Sequence, residues 1–405
     1  MDERPGGLST GGPRTARLLL AGVLWLAFVW IVAIASRDRL PWPDNPWTYD
    51  LERRVSPLTR WDSGWYVPLA ERGYEKVPER QGQQTNHAFF PLYPLLVRVL
   101  TRATGLETSH AGNVVSGLAF LGLLPLFAAF VRSRFGAERV GPAVAVFLLF
   151  PTSFFFAAVY TESLVVLLSL GAVLLVEKDR PFASAALGFL AGLTRVSGLL
   201  LGPYLFLASL RRSRVANERP WPTALKALLA GVSPALGFGL FCLYFQRRFG
   251  DPLLFFRAQH NWAPEAKTTL DGPARVFRAV ASDLATGAVW REPARTFEGL
   301  YVILFLVLVV LLLVRSRVFE ASAWTREGAA RNLVPEAVYV SLLLTAVLLS
   351  GWFESAGRYV LPAFPAFAVL GGLSRFRVAW PLWLAASAVA QAIYVFLFVN
   401  WIWAG

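Results

Sequence analysis

Long apolar runs recur along this chain, and they constrain its fold more than any other feature. Leu18 to Ser36, Val140 to Val159, Leu164 to Val176, Leu300 to Val314, Val334 to Ser350 and Ala379 to Trp403 are dominated by Leu, Val, Ala, Ile and Phe. A helix rises about 1.5 Å per residue, so roughly 20 such residues cross ~30 Å of hydrocarbon. With 56% hydrophobic and 16% charged residues, the composition excludes an ordinary soluble domain. The expected fold class is an all-α polytopic membrane protein.

The net charge of +13 does not point to nucleic acid, because the basic residues sit in short clusters between apolar runs. Arg132/Arg134/Arg139, Lys178/Arg180, Arg211/Arg212/Arg214, Arg315/Arg317/Arg326/Arg331 and Arg375/Arg377 have the placement of cytoplasmic loop anchors. A single cysteine, Cys242, inside an apolar run, excludes an intramolecular disulfide and a cysteine metal cluster. Ala33-Ile34-Ala35 mimics a signal-peptide cleavage site, but the preceding run is longer than a usual signal core and is read as the first span.

These clusters order the topology into a single transmembrane domain, 1–405, of about eleven helices. After the first span comes an extracytoplasmic loop, 37–109, with interfacial helices, and a second large loop on the same side covers 249–298. Phe89 to Ala103 carries Pro91, Pro94, Arg98 and Arg102, so it reads as an interfacial or re-entrant helix rather than a span. Further spans are expected near 110–131, 140–158, 160–177, 223–247, 300–314, 334–350, 357–373 and 379–403. Residues 181–210 exceed one crossing and read as two short spans broken around Thr194 to Gly198.

Ionisable groups in or beside spans are costly, which makes each a functional candidate. This topology gathers Asp62, Glu71, His87, Glu162, Arg195, His260, Glu354 and Arg358 on the extracytoplasmic side. Asp62 follows Arg60, whose guanidinium would keep the carboxylate ionised for general-base work. Trp61, Trp65 and Tyr66 offer flat faces for stacking on sugar rings; the alternative is an interfacial aromatic belt. Arg195 and Arg358 suit a lipid phosphate, with snorkelling to headgroups as the alternative. His87 and His260 are expected to make polar contacts to substrate, since two histidines in separate loops are a weak zinc signal. Glycine-rich phosphate loops and a Ser-His-Asp order are absent in convincing form.

The run RWDSGWYVPLAERGY at Arg60–Tyr74 is followed by HAFFPLYPLLVR, and YTES (160–163), LTRVSGLLL (193–201), FGDPLLFFRAQHNW (249–262) and GRYVLPAFP (357–365) come after it in order. Together they resemble the PIG-V family, the second mannosyltransferase of GPI-anchor assembly, over about residues 18 to 400. The resemblance implies a GT-C glycosyltransferase fold and a polyprenyl-phosphate mannose donor. It aligns Asp62 with the family's acidic catalytic residue, although Ser63-Gly64 stands where relatives often carry an aromatic or histidine. The Arg/Ala/Leu-rich, compact chain resembles a bacterial homologue, placing it in the inner membrane with its site on the extracytoplasmic face.

The resulting expectation is an inverting glycosyltransferase. Asp62 is the general base, Arg195 and Arg358 bind the donor phosphate, and the acceptor is a lipid-linked or glycan hydroxyl. Arg60, Trp61, Trp65, Tyr66, His87, Glu162, His260, Trp262 and Glu354 complete the substrate-binding set. No cofactor and no divalent metal are expected, and the partners are lipid-linked substrates and membrane lipids. Transfer of another sugar, or to a protein acceptor, stays open. A flippase or transporter would place its site near the midplane between internal repeats, and no repeat is visible.

Overall fold

A computed structural model describes residues 13–40, 56–75, 84–262, 272–287, 293–316, 332–350 and 355–402. The described residues form helices joined by short turns, with no strand among them. Among the described residues five helices are long and apolar enough to cross a membrane: Arg14–Ser36, Thr108–Phe135, Pro220–Phe249, Thr296–Arg315 and Ala379–Val399. The chain is a multi-pass integral membrane protein.

The first half begins with α1 (Pro13–Ser36), α2 (Ser63–Arg72), α3 (Leu92–Thr104) and α4 (Thr108–Phe135). It continues through α5 (Val140–Leu149), α6 (Glu162–Glu177), α7 (Pro181–Gly192), α8 (Val196–Leu199), α9 (Leu201–Val215) and α10 (Pro220–Phe249). α3 is too short to span, at roughly 20 Å. It buries Tyr93, Pro94 and Val97 and exposes Leu95, Leu96 and Val99, as an interfacial helix does. α7 and α10 meet backbone to backbone: a Cβ on Gly192 would lie 2.0 Å from the Pro234 carbonyl oxygen, so only glycine fits there.

The second half comprises α11 (Leu254–Trp262), α12 (Gly272–Thr286), α13 (Pro293–Ser316), α14 (Val334–Ser350), α15 (Ala356–Tyr359), α16 (Phe364–Leu370) and α17 (Ala379–Val399). α11, α12 and the start of α13 occupy the second long inter-span segment.

Two expected spans are not continuous helices. α5 stops at Phe150, which turns extended (ψ 135°) before Pro151, and Pro151–Phe156 continues as a fully buried 3-10 segment. The residue before a proline avoids helical ψ, and an apolar run conceals that break from a hydropathy reading. Residues 357–373 likewise fall into α15, α16 and a 3-10 turn, with the first break between Val360 and Ala363 around Pro362, and Pro365 in the first turn of α16. The expected break near Thr194 is present: α7 ends at Gly192, and Arg195 is extended before α8.

Charged clusters mark the two ends of α6, about 24 Å apart along its axis. At one end Glu162 begins the helix. At the other, Glu177 accepts from Arg211, which also bonds the wholly buried Glu336 at 3.0 Å. Arg134 donates to the same Glu336 oxygen at 2.8 Å. A phenylalanine-rich core separates the ends, with Phe127, Phe147, Phe156 and Phe367 packed ring to ring.

Candidate active site

Asp62 stands at the N-cap of α2, where an aspartate ordinarily accepts from its own helix. It makes no such bond. Its carboxylate is directed across the fold instead, and Arg358 Nη1 donates to Asp62 Oδ2 at 2.6 Å. Oδ1 has no partner among the described residues, and the side chain is 17% exposed.

The backbone that presents Asp62 is held under strain. Trp61 has φ of 55°, in the left-handed region that disfavours a large side chain. The Tyr160 hydroxyl clamps both sides of it, donating to the Arg60 carbonyl at 3.2 Å and accepting from the Asp62 N–H at 3.1 Å. Ser63 adds a bond to the Val159 carbonyl at 3.2 Å. The 60–63 turn is therefore tied to the segment that leads into α6.

That segment supplies the second carboxylate. Glu162 opens α6, where unpaired backbone N–H groups favour an anion, and it is wholly buried. Its Oε1 accepts from Arg195 Nη1 and lies 3.4 Å from Arg358 Nε. Its Oε2 has no hydrogen-bond partner among the described residues. Arg195 comes from the break between α7 and α8, and its guanidinium lies 5.0 Å from the centre of the Tyr359 ring. Arg358 lies on α15 over the rings of Tyr160 at 5.2 Å and Tyr359 at 5.1 Å.

Asp62, Arg358, Glu162 and Arg195 thus alternate in sign and balance in charge, from four separate segments. The set is largely desolvated, with side-chain exposures from 0% for Glu162 to 17% for Asp62. Such a chain can orient a carboxylate, and its arginines can add an anionic ligand at a site of low dielectric.

Other sequence candidates fall elsewhere. Arg60 does not flank the Asp62 carboxylate: its buried guanidinium bonds the carbonyls of Val399 at 3.2 Å, Ser56 at 3.2 Å and Thr59 at 2.9 Å. It also lies over Trp401, and burial pulls its pKa down to about 10. Neighbours in sequence point to opposite sides of this turn, so the expected Arg60–Asp62 pairing is corrected to Arg358–Asp62. Tyr66 is buried, with its ring edge-on to Phe89 and Tyr93, so it presents no open stacking face. Trp61 packs edge-on against Trp401 and Trp65 stacks on Phe89, and both keep part of their surface open.

His87 is wholly buried among Tyr74, Phe245 and Phe249, with Nδ1 3.1 Å from Thr85 Oγ1. It is a packed core histidine rather than a group open to substrate. His260 is exposed on α11, which docks on the same loop through Gln259 and the Ala88 carbonyl at 2.9 Å. Glu71 is exposed on α2. Glu354 and the side chain of Trp262 lie outside the described residues. Among the described residues no three His, Cys, Asp or Glu side chains gather as metal ligands.

Residues 48–249 match the family model described as Mannosyltransferase (PIG-V). The chain belongs to the PIG-V family. It is 30% identical over 195 residues to GPI alpha-1,6-mannosyltransferase 2 of Mus musculus, covering 45% of this chain and 38% of that protein. It is 33% identical over 162 residues to GPI mannosyltransferase 2 of Yarrowia lipolytica, covering 38% and 41%. The chain thus spans about two fifths of the length of the curated relatives it matches.

Among solved structures it is similar to ArnT from Cupriavidus metallidurans bound to undecaprenyl phosphate, with TM-score 0.49, 16% identity, and 92% and 62% of the two chains covered. It is also similar to the Archaeoglobus fulgidus oligosaccharyltransferase in the apo form, with TM-score 0.49, 13% identity, and 95% and 56% covered. Asp62, Glu162 and Arg195 lie inside the PIG-V segment, and Arg358 reaches them from beyond it. Sequence reading missed two residues of this PIG-V site as members, Tyr160 and Tyr359. Both stand in the quoted YTES and GRYVLPAFP motifs, and that adjacency was the available signal.

Proposed function

We propose that this PIG-V protein is a GT-C glycosyltransferase that transfers mannose from polyprenyl-phosphate mannose to a hydroxyl of a lipid-linked or glycan acceptor. The reaction inverts the anomeric centre and takes place on the extracytoplasmic face of a bacterial inner membrane. Family membership and the names of the relatives support the mannosyl unit. The observation that carries the mechanism is the Asp62 carboxylate, oriented through Oδ2 by Arg358 and open at Oδ1.

Asp62 Oδ1 takes the proton of the acceptor hydroxyl as that oxygen attacks the anomeric carbon. The bond from that carbon to the phosphate oxygen breaks, and the polyprenyl phosphate leaves with the electron pair. Arg195, the less buried of the two arginines, meets the leaving phosphate, while Arg358 holds Asp62 and Glu162 in register and adds positive potential. The open edges of Trp61 and Trp65 border the sugar.

The test is to give the purified protein radiolabelled polyprenyl-phosphate mannose with a membrane extract and identify the labelled product. A mannosylated lipid or glycan is expected. Transfer from a glucose or arabinose analogue but not from the mannose donor would overturn the sugar assignment. Transfer from no polyprenyl-phosphate sugar at all would overturn the reaction.

A further inference from the structure

We propose that a cleft between the start of α1 and the end of α4 binds the phosphate of an anionic phospholipid headgroup. The cleft encloses about 340 Å³ and is lined by Arg14, Arg17, Leu18, Arg132, Ala137 and Val140. That volume suits a small ligand headgroup.

The architecture that builds it is the antiparallel pair α1 and α4. Gly22 sits so close to α4 that an added Cβ would come within 2.6 Å of Leu124, and Trp25 packs on Phe120 with ring centres 4.5 Å apart. Pairing in that register brings Arg14 and Arg17, one turn apart on α1, beside Arg132 near the end of α4. Among the described residues no acidic side chain lines the cleft, and these three guanidiniums form no ion pair. Arg134, two positions further on, behaves oppositely and is committed to Glu336. Three guanidinium forks around one concavity, with no acidic partner among the described residues, match phosphate oxygens.

Position favours a lipid over a free anion. Leu18 and Val140 give the cleft an apolar wall, and Leu20, Val23 and Leu24 continue exposed along α1, at 58%, 49% and 61%. In a membrane-spanning helix that surface lies against acyl chains, directly below the arginines. Basic pockets between spans are a recurring form of anionic-lipid site. The cleft is also remote from Asp62. Ser116 of α4 bonds the Tyr160 carbonyl beside the active-site cluster, and Arg132 lies about 24 Å further along the same helix.

Delipidated protein in detergent is titrated with phosphatidylglycerol, phosphatidylcholine or inorganic phosphate, with native mass spectrometry and thermal shift as readouts. Phosphatidylglycerol should bind at least about tenfold more tightly than phosphatidylcholine. The preference should disappear in R14Q/R17Q/R132Q and largely persist in R14K/R17K/R132K, which keeps the charge. Equal binding of the two lipids by the unaltered protein would overturn the proposal, as would an unchanged preference in the glutamine variant. Inorganic phosphate reproducing the lipid's effect would overturn it too, by making this a free-anion site.

Discussion

Arg358 and Asp62, 296 positions apart in sequence, meet at 2.6 Å, and Arg358 also lies 3.4 Å from Glu162. A carboxylate at an N-cap that bonds an arginine from the far end of the chain forgoes a helix cap worth about 1 kcal/mol. That sacrifice, together with the left-handed Trp61 beside it, is the pattern expected where local stability is given up for a positioned reactive group.

Asp62→Asn keeps an oxygen for Arg358 to bond while removing the base. Transfer should fall roughly 100- to 10,000-fold, with little change in donor KM. The thermal midpoint should move only slightly. Turnover within a few-fold of the unaltered protein, measured with radiolabelled donor, would remove Asp62 from the role.

The Tyr160 hydroxyl is the clamp on either side of Trp61. Tyr160→Phe leaves the ring beneath Arg358 but strands the Asp62 N–H and leaves the Arg60 carbonyl with the Ser63 N–H alone. The expected cost is about 1–3 kcal/mol of stability. A loss of kcat at nearly constant KM should accompany it, because the group acts by holding the 60–63 turn. A fall in stability with kcat untouched would leave Tyr160 with a packing role only.

How much of this was legible in the sequence depends on the range of the interaction. Spans were readable because apolar length is a local property, and the break at Thr194 to Gly198 announced itself through excess length. The break at Pro151 did not, because buried 3-10 turns and helices share the same apolar composition. Asp62, Glu162, Arg195 and Arg358 were each visible as costly charges beside spans. Their order of pairing was not, since Arg60 is the nearest cation in sequence and only the left-handed turn at Trp61 sends it the other way. His87 looked like a loop residue because nothing in its neighbourhood reveals that Phe245 and Phe249 of α10 close over it.

Glu162 is wholly buried and serves two arginines. Glu162→Gln should cost about 3–5 kcal/mol, the penalty for removing one partner of a buried pair. In Glu162→Gln/Arg195→Gln the stranded charge is gone as well, so the double variant should be less destabilised than the sum of the two singles. A double-mutant cycle on thermal or denaturant stability measures that coupling, and additivity within ~0.5 kcal/mol would contradict the shared Oε1 geometry.

The opposite charged cluster makes the complementary case. Glu336→Ala leaves Arg134 and Arg211 without their common buried partner and should destabilise by about 3–5 kcal/mol. It lies at the far end of α6 from Glu162, so the KM and kcat of the folded fraction should be unchanged at a temperature where the variant stays folded. A kcat loss comparable to that of Asp62→Asn would mean that the two ends of α6 are coupled.

His87 gives the protein a pH dependence of known sign. Burial holds the imidazole below its ordinary value, with a backbone interaction at Glu75 opposing the shift. In the unfolded chain the same ring takes up a proton as pH falls through about 6.5. The unfolded state then binds more protons than the folded one, so this residue lowers stability on the acid side and contributes nothing well above neutrality. Thermal midpoints recorded from pH 8 to pH 5.5 should be level at the alkaline end and decline below about 6.5. His87→Gln removes the titrating group and should flatten that decline, although it lowers the plateau by disturbing the ring's packing on Tyr74 and Phe249. A slope identical in the two proteins would assign the pH dependence to other groups.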